Sequence, residues 1–161
     1  MPTNREVIAA NKEKFIELLQ STGRRGVDDV IETLEKQGFF DAPASTRFHL
    51  AYEGGLLEHS LGVCRIALMV RKQVLLVKSE LEPQLSVESI ILTTLLHDVC
   101  KAEIYKRAIK RRKNERGIWE DYEGYDVDSL ALSLRSDTVN TSDTLLHLKR
   151  TVVNVKVDNC I

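Results

Sequence analysis

The chain has 161 residues, one domain's worth and long enough to bury a core. Hydrophobic residues at 43% and charged residues at 29% exclude disorder of the whole chain. The longest apolar runs, such as residues 90–96, exclude a membrane span, which needs about 20. With 24 acids against 23 bases the net charge is −1, which does not point to a globally basic nucleic-acid binder.

The N-terminus, Met-Pro-Thr-Asn-Arg-Glu, leads into a charged amphipathic stretch and not into an apolar signal segment. Residues 4–20 read as a helix, with Val7, Ile8, Phe15, Leu18 and Leu19 at helical spacing. A second helix is expected over 27–37, with Val30, Ile31 and Leu34 on one face and Gly38 as its stop. Residues 39–54 read as a loop containing Pro43. The paired Gly54 and Gly55 relax the backbone before the longest helix, from residue 56 to about 77. Residues 79–85, with Pro83, form a connection. Ser86 caps the next helix, with Ser89 where a capping box would carry a glutamate. Residues 90–96 are apolar nearly all round, the pattern of a core helix.

Beyond that helix the composition changes. Residues 101–116 hold eight bases and two acids, and 120–128 hold only acids among their charges. Asn114-Glu-Arg-Gly117 is a turn signal between 108–113 and 118–122, which predicts a β-hairpin within about 105–125. Residues 129–161 keep no strong period, though 152–157 alternate like a strand. The three cysteines, Cys64, Cys100 and Cys160, are widely spaced with no CxxC pair. They read as small buried residues in a reducing, cytoplasmic setting.

The dipeptide His97-Asp98 ends the apolar helix. A carboxylate and an imidazole there must be paired, hydrogen-bonded or bound to a metal. Neighbours on a regular helix point about 100° apart, so both reach one ion only where the helix ends or bends. His59 lies early on the preceding long helix. An antiparallel pair of helices brings the start of the first beside the end of the second. Two imidazoles and a carboxylate suit a divalent transition metal, and an open position on it would hold and acidify a water. The alternative for the three residues is a hydrogen-bonded polar cluster or a decayed site.

Two stretches carry a family resemblance: Phe48-His49-Leu-Ala-Tyr52-Glu-Gly54-Gly55-Leu-Leu-Glu-His59-Ser-Leu, and Leu95-Leu96-His97-Asp98-Val-Cys-Lys101. Together, over about residues 40–126, they resemble the HD-domain metal-dependent phosphohydrolases, and within them a branch similar to the HD domain of bacterial 3′-to-5′ exoribonucleases. The resemblance implies a mainly α fold, an HD-type helical bundle with a small β-hairpin insertion. It implies His59, His97 and Asp98 as metal ligands, with the ion one of Mn, Fe, Mg, Ni or Zn. It also implies Lys101 near substrate phosphate.

The chain then divides into an N-terminal helical segment (1–40), an HD-type core with its basic hairpin (41–128) and an atypical tail (129–161). The tail departs from the family pattern and is divergent or truncated. Asp126, Asp128, Asp137, Asp143 and Asp158 are candidates for a further ligand, and none sits in a matching motif.

The expected activity is hydrolysis of a nucleotide or nucleic-acid phosphoester through a metal-bound hydroxide. Asp98 and Lys101 are the catalytic candidates, and Lys101, Arg107 and His49 are expected at the substrate phosphate. Glu58 reads as a surface residue and His147 as structural. The basic run with Trp119, Tyr122 and Tyr125 suits a nucleotide or single-stranded nucleic acid, with a solvated charged face as the bland reading. No membrane partner is expected, and a homo-oligomer is compatible with the chain. The second hypothesis is a catalytically impaired protein on the same scaffold, binding a nucleotide or metal as a regulator.

Overall fold

Four α-helices and one antiparallel β-hairpin make up residues 4–130, the part of the chain that the computed structural model describes. The protein is mainly helical with a small two-stranded sheet, as the sequence predicts. The alternating residues 152–157 lie outside the described part, as do His147, Cys160, Asp137, Asp143 and Asp158.

Helix α1 (Asn4–Ser21) buries Phe15 and Leu19, and α2 (Val27–Lys36) buries Val27, Val30 and Leu34. The second helix stops at Gly38, whose φ of 69° most residues avoid. There Phe39 N–H bonds the Leu34 carbonyl and Gly38 N–H bonds that of Glu35, a Schellman ending. That ending turns Phe39 inward, and Phe15, Phe39 and Phe40 pack with ring centroids 5.3–5.6 Å apart.

Helix α3 (Gly55–Val77) begins one residue earlier than the sequence pattern suggests, with Gly54 as its left-handed cap. Both glycines are there for close approach. A Cβ on Gly54 would lie 2.6 Å from Cγ1 of Ile8 on α1, and one on Gly55 would collide with the Leu50 carbonyl oxygen. The loop before α3 is therefore pressed against its first turn. There Gly54 and Leu56 N–H bond the carbonyls of Asp41 and Ala42.

A short 3-10 turn (Ser79–Gln84) leads back to α4 (Val87–Leu96), whose Ser86 cap accepts Ser89 N–H at 3.2 Å. Ser89 also meets the cap with its hydroxyl, 2.8 Å from Ser86 Oγ. The α3–α4 pair is latched where Arg71 Nε donates to the Leu85 carbonyl at 2.6 Å. Twelve residues run from His59 to Arg71 and twelve from Leu85 to His97. The first span is helical throughout and about 18 Å long, and α4 runs back from just beyond Leu85 to end at His97, so the latch helps set His59 beside His97.

Within the apolar run 90–96 of α4, Ile91, Leu92 and Leu95 are buried against α1 and α3, the pattern of a core helix, while Thr93 and, one turn earlier, Val87 are exposed. Composition alone cannot tell a helix surrounded by others from one lying on the edge of a bundle.

The hairpin is longer than its turn signal suggests, with β1 (Tyr105–Lys113) paired to β2 (Trp119–Val127). Asn114 closes the turn, its Oδ1 accepting the Arg116 and Ile118 N–H groups. Among the described residues no helix is long and apolar enough to cross a membrane.

Candidate metal centre

The end of α4 makes the site possible. Thr94 ties its hydroxyl to the Ile90 carbonyl, and the Thr94 carbonyl accepts from His97 Nδ1 at 2.8 Å. A carbonyl only accepts, so Nδ1 carries a proton there and Nε2 is the ring nitrogen turned toward the site. Asp98 then leaves the helical region (φ −111°, ψ 15°), which swings its carboxylate to the same side as the preceding ring. A single 3-10 turn (Val99–Lys101) brings Lys101 back over Asp98.

Across the helix pair stands His59, on the first turns of α3. Its Nε2 is 3.3 Å from His97 Nε2 and 3.4 Å from Asp98 Oδ2, and His97 Nε2 is 3.3 Å from that same oxygen. The three donors form a nearly equilateral triangle. A tetrahedral shell with bonds of about 2.1 Å has edges of about 3.4 Å, so the triangle fits one face of such a shell. This is the group among the described residues that can hold a metal ion. Burial pushes the His59 imidazole below its usual pKa, and His97, His49 and Lys101 add to that while Asp98 opposes it. A neutral ring at pH 7 is what metal ligation requires.

Lys101 Nζ lies 2.7 Å from Asp98 Oδ2, the oxygen both imidazoles face. His49 packs its ring on that of His59, centroids 5.3 Å apart, from the loop pressed against α3. Arg107 takes a different place. Its guanidinium lies 3.2 Å from Glu53, joining the hairpin to the His49 loop, with Lys110 Nζ on the Thr46 carbonyl (3.4 Å) as a second tie. Glu58 does more than face solvent, since it accepts the Tyr52 hydroxyl at 2.8 Å and so holds the same loop. Nothing in the spacing of Tyr52 and Glu58 signals that bond, because Tyr52 precedes the helix.

Neither Asp126 nor Asp128 joins the triangle. Asp126 lies 4.0 Å from Lys110 and Asp128 4.0 Å from Lys106. The basic strand is answered within the hairpin: Arg111 meets Asp121 at 3.2 Å and Arg112 meets Glu120 at 2.8 Å, each pair directly cross-strand. Two of its three candidate stacking rings are also met by cations. Arg111 and Lys113 lie over Trp119, and Arg112 lies over Tyr122. Cys100, two residues after Asp98, is exposed and not buried as the sequence reading expects, whereas Cys64 is buried as expected.

With the geometry in hand, comparison with known proteins adds a relative. The chain is 31% identical over 125 residues to the dihydroneopterin 2′,3′-cyclic phosphate phosphodiesterase of Methanocaldococcus jannaschii. The match covers 76% of this chain and 45% of the relative, so the chain spans less than half the length of that curated protein. No protein-family profile matches the chain, and no solved structure matches it.

Proposed function

We propose that the chain is the core of an HD-type metal-dependent phosphohydrolase that cleaves a small phosphodiester of nucleotide character. The observation that carries this reading is the 3.3–3.4 Å triangle of His59, His97 and Asp98 with the Lys101 ammonium on its carboxylate oxygen. The likeness to a cyclic phosphate phosphodiesterase supports the same reaction class. The cross-strand ion pairs that occupy Arg111 and Arg112 favour a small ester over a long RNA strand. They give no support to the narrower exoribonuclease likeness. A cytoplasmic setting belongs to the same proposal.

In this reading His59, His97 and Asp98 hold a divalent ion, which supplies Lewis acidity and a nucleophilic water. The chain's own residues do the rest. His97 is aimed by its bond to the Thr94 carbonyl, and His59 is kept neutral by burial. Asp98 would be a ligand of that ion, and its Oδ2 accepts from the Lys101 ammonium. The Lys101 ammonium then has N–H groups to give a phosphoryl oxygen as charge builds there. His49, over His59, is the further donor to phosphate. Arg107 keeps several N–H groups beyond its Glu53 contact and adds positive charge at the loop.

The test is metal content by mass spectrometry for protein purified without chelator, wild type against Asp98→Ala, with circular dichroism to check the fold. Near-stoichiometric transition metal that falls below about a tenth in the variant is expected. Hydrolysis of 2′,3′-cyclic nucleotides should fall by at least about a hundredfold with it. No metal in the wild type even after reloading with Mn²⁺ would sink the reading and leave a polar cluster or a non-catalytic scaffold.

A further inference from the structure

The loop that carries His49 is built more firmly than a connection needs. Ser45 Oγ accepts Phe48 N–H at 3.0 Å and donates to the His49 carbonyl at 2.8 Å. The Leu50 carbonyl accepts Ala44 N–H at 3.1 Å and sits where a Cβ of Gly55 would be. Leu50 itself has φ 49°, a left-handed conformation that a branched side chain avoids unless its surroundings enforce it. From outside, Tyr52–Glu58, Arg107–Glu53 and Lys110–Thr46 hold the loop to α3 and the hairpin. At the tip of this fixed turn stands Phe48, 84% exposed. Its Cα is about 3.8 Å from that of His49, whose ring rests on a candidate metal ligand. Among the described residues no ring or cation covers Phe48, in contrast to Trp119 and Tyr122 on the hairpin.

We propose that Phe48 is a specificity-determining residue, a stacking platform for a planar heterocycle on the alcohol side of the phosphoester. The inference rests on the phosphoester reading above and deepens it, by naming the residue that would meet the flat aromatic ring of such an ester. A phosphate held at His59, His97 and Asp98 with His49 beside it would bring the ester's substituent toward the turn that carries Phe48, the residue preceding His49. The backbone there is already ordered, so stacking costs little further entropy. A ring laid on Phe48 removes apolar surface from water on both partners. Base–aromatic stacking of this kind changes affinity by about tenfold. The contact is indifferent to hydrogen-bonding pattern, so it selects for planarity and not for one particular base.

Binding and turnover test it separately. Titration calorimetry on the Mn²⁺-loaded protein compares adenosine 5′-monophosphate with ribose 5-phosphate, which carries the same 5′-phosphate and sugar without the aromatic base. The wild type should bind the nucleotide at least about tenfold more tightly. Phe48→Ala should abolish that preference without changing ribose 5-phosphate affinity, and Phe48→Tyr should retain it. For 2′,3′-cyclic AMP, Phe48→Ala should raise KM about tenfold and leave kcat within about twofold. Equal affinity for the two probes in the wild type, or a preference that survives Phe48→Ala, overturns the proposal. Ring preference without hydrolysis supports it while overturning the hydrolytic reading, and hydrolysis without ring preference does the reverse. Failure to bind either probe overturns both. Because Phe48 is exposed, its replacement leaves the core as it is.

Discussion

His59 shows how one residue's surroundings decide its chemistry. Burial keeps its imidazole neutral to lower pH than usual, while an unfolded chain takes up that proton near 6.5. As pH falls through 6.5 the unfolded state therefore binds the proton first, and folding stability is lost until the folded value is passed. Above that window the contribution is constant. The metal-free protein should show a urea midpoint that declines as the pH falls from 7 through 6.5. The slope should be visibly shallower in His59→Gln. An identical slope in the two proteins would remove His59 as its source.

Among the elements, the junction of the His49 loop with α3 is the tightest. Gly55 has ordinary helical backbone, so its replacement is judged by space alone, and its Cβ would collide with the Leu50 carbonyl oxygen. Gly62 lies seven residues along the same helix with nothing within 4 Å of the equivalent position. Gly55→Ala should cost about 2 kcal/mol or more, as overpacking does. Gly62→Ala should stabilise by about 0.5–1 kcal/mol through helix propensity. Chemical denaturation of both variants decides between them; equal midpoints would mean that Leu50 yields without cost. The loop matters because its position sets His49 over His59.

For the whole molecule, the candidate ion would tie the start of α3 to the end of α4, elements joined elsewhere by the Arg71–Leu85 latch and the shared core. Binding only to the folded state stabilises it by mass action, by about 2.7 kcal/mol at a hundred times the dissociation constant. Mn²⁺ at saturating concentration should raise the thermal midpoint of the wild type and leave that of Asp98→Ala unchanged. A rise of the same size in both would place the ion elsewhere. The hairpin contributes little to such a balance, because its exposed ion pairs are nearly neutral in stability.

Short-range signals by themselves determined a good deal about this protein. Ser86 capping α4, Gly38 stopping α2, Asn114–Gly117 turning the hairpin and His97-Asp98 at a helix end all act within a few residues, where stereochemistry leaves little choice. Only the tertiary structure decided the rest. The latch at Arg71 helped set His59 beside His97, packing left one side of α4 exposed among the described residues, and Glu53 claimed Arg107. The fixed loop put His49 on His59 and turned Phe48 outward. These outcomes depend on which distant surfaces meet, and a periodic pattern states only that a surface is apolar, not what will cover it.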